Sequence, residues 1–118
     1  MYLVGIVINT TDKYQACIDA CNRCAQACHE CFTACLNEAD VAARKNCISI
    51  LVECACVCQS SAAKMSMDSQ YAKEHCLMCA TICDKCSQEC GMFKDEHCTK
   101  CAEECKKCAD ECKKMTGI

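Results

Sequence analysis

Cysteine recurs along most of the chain in alternating steps of four and three residues. The uninterrupted runs cover residues 17–35, 76–90 and 98–112. A fourth segment, residues 47–65, keeps the same rhythm more loosely and leaves Cys56 off the pattern. Positions three and four apart lie on one face of an α-helix, the face that a helical bundle turns inward. The spacing therefore predicts four helices, each with a stripe of sulfur on its inner face.

Polar and small residues between the runs predict where these helices begin and end. Thr10 or Thr11 is a candidate N-cap of the first helix, and Asp40 is a candidate N-cap of the second. Gly91 follows the third run, where a left-handed C-terminal cap is favoured. The predicted helices span about residues 11–37, 40–64, 69–90 and 94–115. Short connections make neighbouring helices antiparallel, which predicts an all-α, up-down-up-down antiparallel four-helix bundle with a Cys-lined core. Residues 1–9 are expected to form a short apolar extension, and residues 10–118 a single domain.

The composition argues against both an ordinary apolar core and a disulfide scaffold. Twenty of the 118 residues are Cys, whereas Val, Ile, Leu and Phe together number only eighteen. Small disulfide scaffolds are rich in loops, but this chain has no Pro and only three Gly. Thiols are therefore expected to fill the interior of long helices.

The charge pattern and the apolar segments limit the partners of the protein. The net charge is −3, with Lys and Arg dispersed, so no basic stripe for nucleic acid is expected. No apolar run approaches the length of a membrane span. The apolar segment 2–8 has no preceding basic residue and no small-residue cleavage site after it. We expect a cytoplasmic protein that contacts neither nucleic acid nor a membrane.

The cysteine spacing itself suggests a metal site. Cβ atoms at positions i and i+4 of a helix lie about 5 to 6 Å apart, too far for a disulfide, which needs about 3.5 to 4.5 Å. The same spacing suits a soft, monovalent ion held between two thiolates. Cu(I) accepts two or three soft donors, whereas Zn(II) favours four. The sequence therefore predicts several Cu(I) ions per chain.

The candidate ligands fall into three groups. Eight Cys-x-x-x-Cys pairs come first: Cys17/Cys21, Cys24/Cys28, Cys31/Cys35, Cys54/Cys58, Cys79/Cys83, Cys86/Cys90, Cys101/Cys105 and Cys108/Cys112. Cys47, Cys76 and Cys98 extend the stripes near helix N-termini and are expected to be shared between helices. Cys56 points away from the stripe and is either an extra ligand or an interface or spare thiol.

Other roles for so many thiols remain open at this point. A bundle that merely uses Cys as a small apolar residue is one, although twenty thiols in register argue against it. An iron–sulfur protein is another, without the ferredoxin-type run that ends in Cys-Pro, and Zn or Cd sequestration is a third. Enzymatic catalysis is not expected, because no Cys is distinguished from the others by a partner.

These stripes and Cys-x-x-x-Cys repeats resemble the cytosolic branch of the bacterial copper storage proteins, over about residues 11–115. The resemblance implies a four-helix bundle whose inner Cys residues bind many Cu(I) ions in clusters. It also implies a homo-oligomer, a tetramer, that receives copper from a chaperone or a small-molecule donor. On this analogy the sixteen paired Cys residues are ligands, together with Cys47, Cys76 and Cys98.

The resemblance further implies that copper enters at one end of the bundle, near His or Met side chains. Met65, Met67 and His75 are the candidates at one end, near Met115, and we favour this end. Met92 and His97 are expected at the opposite end, and His29 is expected on the surface.

The second helix is apolar on more than one face. Ile48, Ile50, Val52 and Val57 add to the stripe residue Leu51. A helix of this kind is usually covered by more than its own bundle, so we expect it to form part of the oligomer interface.

Overall fold

The computed structural model describes residues 4–117. Its main elements are four helices, α1 (Gln15–Leu36), α2 (Lys45–Ser66), α3 (Ala72–Cys90) and α4 (Glu96–Thr116). Short 3-10 turns, Asp12–Tyr14 and Val41–Arg44, precede α1 and α2. Each helix packs against the helix that follows it in the sequence, and α4 packs against α1, which closes the ring. This confirms the predicted four-helix bundle.

The helices form because the chain has no Pro and only three Gly to interrupt the helical hydrogen bonds. Each helix also buries one face. On α1 that face consists of six cysteines with Ile18 and Ala25. The other three helices repeat this arrangement with small side chains. Since Cys and Ala bring little volume, the helices can approach closely around a narrow core. Within residues 4–117, no helix is long and apolar enough to cross a membrane.

The helix termini differ from the predicted ones at several points. The main helices α1 and α2 begin a few residues later than predicted because tight 3-10 turns precede them. Asp40 makes no capping hydrogen bond; its carboxylate binds the Arg44 side chain instead. Asp95 is the N-cap of α4, since its side chain accepts a hydrogen bond from the Cys98 backbone N–H.

The prediction of a left-handed cap at Gly91 is wrong. Gly91 has φ −64° and stays in the right-handed region. Its neighbours Met92 and Phe93 continue the chain with backbone bonds to Glu89 and Cys90, so the chain turns without a reversal of handedness. A side chain at Gly91 would meet the Ser87 carbonyl oxygen at 3.0 Å, which explains the need for a small residue there.

The N-terminal segment is held at the start of the bundle. The Gly5 N–H donates to Asp12 Oδ1 over 2.6 Å, while Ile6 and Val7 are exposed. Residues 1–3 of the predicted apolar extension lie outside the described part of the chain.

Candidate metal centre

The core of the bundle is a column of sulfur. Nineteen of the twenty cysteines are buried, and Cys56 alone is exposed. Their burial follows directly from the spacing, which places every stripe on the face toward the axis. Leu51 and Met65 are the large side chains that share this column in full burial. The structure thus confirms a thiol-filled interior in place of an ordinary apolar core.

Most of these thiols belong to one continuous set, here called the twelve-thiol network. S–H···S contacts of 3.6–4.0 Å link its members across all four helices. They are Cys17, Cys21, Cys24, Cys28, Cys54, Cys58, Cys79, Cys83, Cys101, Cys105, Cys108 and Cys112. Most of the contacts join cysteines of different helices. Groups of ligands in this core therefore draw on several helices, whereas the i and i+4 spacing predicted pairs within one helix.

The thiols are close to one another without being bonded. All twenty cysteines, which lie within the described residues, are free. The closest sulfur pairs, such as Cys17 with Cys112, are 3.6 Å apart, whereas a disulfide bond is about 2.05 Å long. Four-sulfur groups such as Cys24, Cys28, Cys54 and Cys105 have all their Sγ atoms within 4.8 Å of one another. These groups are suited to holding metal between helices.

A second set, the end triad, lies where α1 ends and α4 begins. It consists of Cys31, Cys35 and Cys98, whose Sγ atoms are 3.6–3.8 Å apart. His97 Nδ1 lies 3.6–4.0 Å from the same three sulfurs. Its Nε2 lies 3.0 Å from Glu38 and 2.9 Å from Asp95. Carboxylate partners on one ring nitrogen orient the other toward a metal, so the triad and His97 together offer three sulfur donors and one nitrogen donor.

A buried guanidinium closes the bundle beside this triad. Arg44 Nη1 lies 3.4 Å from Cys98 Sγ and 3.6 Å from Cys35 Sγ. The same side chain pairs with Asp40 at 2.7 Å and with Asp95 at 2.8 Å. It also stacks on the Phe93 ring, 4.4 Å from its centroid. Every side of the guanidinium is therefore in contact with protein.

The charges at this end shift the pKa values of the groups around them. The Asp40 carboxylate, and then Asp95, raise the pKa of Arg44, which stays cationic. Burial would raise the pKa of Asp95, but hydrogen bonds from Arg44 and Cys98 outweigh it and hold that pKa at about 2. Burial, followed by the Asp95 carboxylate, raises the pKa of Cys98. This thiol therefore remains protonated until a metal displaces its proton.

Leu51 takes the place of a thiol on the α2 side of the sulfur column. It lies on the α2 stripe between Cys47 and Cys54 and is fully buried. Within residues 4–117, no S–H···S contact as short as those inside each set (3.6–4.0 Å) joins the end triad to the twelve-thiol network. The Sγ atoms of Cys47 and Cys90 lie 3.6 Å apart, at the end of the bundle that holds the end triad. The column thus has a long section and a short terminal section.

The opposite end of the bundle carries the predicted methionine. Met65 is fully buried, and its Sδ accepts a contact of 3.7 Å from the Cys76 thiol. Cys76 also lies within 4.8 Å of Cys17 and Cys112. Contact with Cys112 lowers the pKa of Cys76, but contact with Cys17 and burial raise it to about 12. Met65 thus extends the sulfur column to this end.

The other predicted site residues at this end lie further from the thiols. Met67 is 66% exposed. His75 is half-buried, with Nδ1 3.3 Å from Ser60 Oγ. His29 is exposed, as predicted, and so is Cys56. The role of Met67 and His75 in copper handling stays a prediction.

Two residues that contact the end triad, Arg44 and His97, were not predicted as site residues. Arg44 precedes Cys47 by three positions, so it continues the spacing of the α2 stripe toward the N-terminus. This spacing is the feature of the sequence that could have indicated its inward position. His97 lies beside Cys98 at the start of α4, but its position off the stripe gave no sign that its ring turns toward three sulfurs. Only the approach of α1 to α4 creates that contact.

The sequence matches a known protein family, and the match agrees with the sulfur-lined helical bundle. The family described as copper storage protein matches residues 10–117. The chain belongs to the copper storage protein family. The match covers all four helices of this copper storage protein, including both sections of its sulfur column.

Solved structures of similar proteins support the same assignment. Metal-free copper storage protein 3 from Bacillus subtilis is 41% identical, with a TM-score of 0.82, over 87% of this chain and 98% of that chain. A Cu(I)-bound copper storage protein, BsCsp3, is 42% identical, with a TM-score of 0.83, over 87% of this chain and 97% of that chain. A cytosolic copper storage protein from Streptomyces lividans with five coppers is 37% identical, with a TM-score of 0.87, over 92% of this chain and 95% of that chain.

Proposed function

We propose that this copper storage protein holds many Cu(I) ions as thiolate clusters inside the bundle. The observation that carries the proposal is the twelve-thiol network, in which neighbouring sulfurs are 3.6–4.0 Å apart. Two metal–sulfur bonds of about 2.3 Å each, the length in zinc–thiolate sites, span such a gap with little movement. Ions can therefore bridge sulfurs that are already in place.

The proposed ligands comprise the nineteen buried thiols and a few neighbouring donors. His97 joins the end triad as a nitrogen ligand, and Met65 is a thioether ligand at the opposite end. Cys56, Met67 and His75 remain outside this core set. Each Cu(I) that binds a thiol releases one proton, so an ion per thiolate leaves the buried charge unchanged. Charge neutrality explains how so many ions can collect in a dry core.

The remaining parts of the proposal concern surroundings and partners. The protein is proposed to act as a store rather than an enzyme, which the description of its family as copper storage protein supports. A reducing cytosol keeps free thiols available for copper, and the similar Streptomyces lividans protein is described as cytosolic. Copper would arrive from a chaperone or a small-molecule complex, because free Cu(I) would bind other thiols first.

A homo-oligomer, a tetramer, remains part of the proposal, with α2 in the interface. Val57 is buried by its own bundle, and Ile48 and Ile50 pack partly against the core. Val52 is 53% exposed, so it is the apolar side chain of this group that is most available to another copy. Light scattering of the Val52→Glu variant should show a smaller particle than the wild type if α2 contributes to the interface.

The storage function is tested by anaerobic titration of the reduced protein with Cu(I). A competing chelator reports the number of ions bound, and a thiol reagent reports how many thiols each ion protects. Cys105→Ser lies in the twelve-thiol network and should lower the capacity by at least about one ion. Cys56→Ser, the matched control on the outer face of α2, should leave it unchanged.

Three outcomes would contradict the proposal. One is uptake of fewer than about two ions per chain, too few for a cluster. A second is equal loss of capacity in the two variants. A third is acid-labile sulfide in the purified protein, which would indicate an iron–sulfur centre. Preference for Zn(II) or Cd(II) in a competition titration would favour a different metal.

A further inference from the structure

A polar cleft runs along the side of the bundle between α1 and α4. Its volume is about 750 Å³, and its lining includes Ala27, Glu30, His97, Lys100 and Glu103. Two thiols, those of Cys31 and Cys101, also line it. At one end of the cleft an ion pair joins Arg23 of α1 to Glu104 of α4 at 2.9 Å. At the other end, Glu38, just past α1, lies 3.0 Å from His97 of α4.

The floor of the cleft lies where the two sections of the sulfur column approach each other. Cys31 belongs to the end triad, and Cys101 is joined through Cys105 to the twelve-thiol network. Cys101 has 2% of its surface exposed, more than any other cysteine of the core. Ala27 contributes only a methyl group to the wall here, which leaves the space open. An ion in the cleft would have access to both sections.

The axial route at this end of the bundle is closed. Arg44 is 5% exposed and covers Cys35 and Cys98 with its guanidinium. Its bonds to Asp40 and Asp95 and its stacking on Phe93 hold it in place. An ion that approached along the axis would have to displace a fixed positive charge. Coulomb repulsion and the broken ion pairs oppose that path.

The charge of the cleft favours a cation. Glu30, Glu96, Glu103 and Glu104 outnumber Arg23 and Lys100 among its lining side chains. Glu96 is paired with Lys100 and Glu104 with Arg23, whereas the Glu30 carboxylate accepts a hydrogen bond from the uncharged Gln26. Acidic walls around a concave site raise the local concentration of positively charged species.

We propose that Cu(I) reaches the core at this end from the side, through the α1/α4 cleft, with Cys101 and Cys31 as the first thiols to receive it. The inference rests on the proposed storage function and adds the route to it. Each arriving ion exchanges its carrier ligands for a thiolate, and the displaced proton leaves through the same polar cleft. From Cys101 the ion passes to Cys105, at 4.0 Å.

The experiment measures the rate of copper uptake separately from the amount. Reduced protein is mixed anaerobically with the cationic Cu(I)–acetonitrile complex, and the rise of thiolate–copper absorption is followed by stopped flow. Ala27→Trp fills the cleft and should slow uptake about tenfold or more, a barrier increase of about 1.4 kcal/mol. Ala20→Trp is the matched control, because Ala20 is also half-buried on α1, seven residues earlier and outside the cleft lining. Its rate should stay near that of the wild type.

The charged wall gives a second measurement that does not alter packing. Glu30→Gln with Glu103→Gln should slow uptake several-fold at low salt, and about 1 M salt should abolish the difference. Glu53→Gln, on the exposed outer face of α2, is its control. Limited alkylation of the metal-free protein followed by mass spectrometry should modify Cys101 and Cys31 first among the core thiols. Ala27→Trp should protect both.

The outcomes separate the route from the storage function. Absence of uptake by the wild type would overturn storage itself. Normal final uptake with equal rates for Ala27→Trp, Ala20→Trp and the wild type would overturn the lateral route alone. First alkylation at Cys76 or Cys17 would place the entrance at the Met65 end, and would also overturn it. If Ala27→Trp fails to fold, the Glu30 and Glu103 variants decide.

Discussion

Removal of the Arg44 guanidinium should destabilise the metal-free protein substantially. Arg44→Ala leaves the Asp95 carboxylate, which is only 21% exposed, without its cation at 2.8 Å. Breaking a buried ion pair by removal of one partner costs about 3 to 5 kcal/mol. Because Asp95 keeps some contact with water and Asp40 is 52% exposed, we expect about 3 kcal/mol. For a chain of this size that loss lowers Tm by about 12 °C.

The pH dependence gives an independent check of that magnitude. The pKa of Asp95 falls from 3.8 to about 2 in the folded protein, which corresponds to about 2.4 kcal/mol of stabilisation. Since the folded pKa is the lower one, this contribution is complete above about pH 4 and is lost as the pH falls toward 2. Arg44→Ala should lose the largest share of this acid dependence, whereas the share that comes from the Cys98 hydrogen bonds should remain.

The assay is urea unfolding of reduced, metal-free protein, followed by far-ultraviolet circular dichroism under anaerobic conditions. Arg44→Lys is the control variant: it keeps the charge but loses the planar fork that reaches both carboxylates, so its loss should be intermediate. An Arg44→Ala free energy of unfolding within about 0.5 kcal/mol of the wild type would refute the reasoning, because that is the range of ordinary surface substitutions.

Three further predictions address single features of the core. Under native conditions one thiol should react quickly with a thiol reagent, and Cys56→Ser should remove that fast phase; a fast phase that survives would contradict the burial of the others. His97→Ala should weaken chelator-resistant copper binding, whereas His29→Ala, on the exposed side of α1, should not; equal effects would argue against His97 as a ligand. Leu51→Ala should lower the free energy of unfolding of the metal-free protein by about 2 to 5 kcal/mol through the cavity that it leaves; a change below about 1 kcal/mol in urea unfolding would show that the column collapses around the site.

The cysteine spacing predicted the fold because its rhythm is local. A thiol every three or four residues fixes which face of each helix is buried, whatever the neighbouring helices are. The burial of nineteen cysteines and the exposure of Cys56 follow from this alone. The same reasoning could not find that Cys24 contacts Cys54 and Cys105, because that depends on the relative heights of three helices.

The features that the sequence reasoning missed arise from tertiary contacts. Arg44 is charged, so its sequence position suggests a surface residue. Its burial depends on contacts with Asp40, Asp95 and Phe93, which only the folded chain brings together. The Gly91 prediction failed for a related reason, because the connection to α4 continues in right-handed turns. The end favoured for copper uptake rests on the Met and His positions alone and stays a prediction, because the cleft between α1 and α4 exists only in the folded chain.

Leu51 stands where a thiol would continue the α2 side of the column, so sulfur donors are distributed unevenly along the bundle. Ions in the long section share many sulfurs and can shift between them, so loss of one ion is easily compensated by its neighbours. Ions in the short terminal section have few alternatives, and a fixed guanidinium lies beside them. Withdrawal by a competing ligand should then proceed in two stages, with a small fraction that exchanges at a different rate from the bulk reserve.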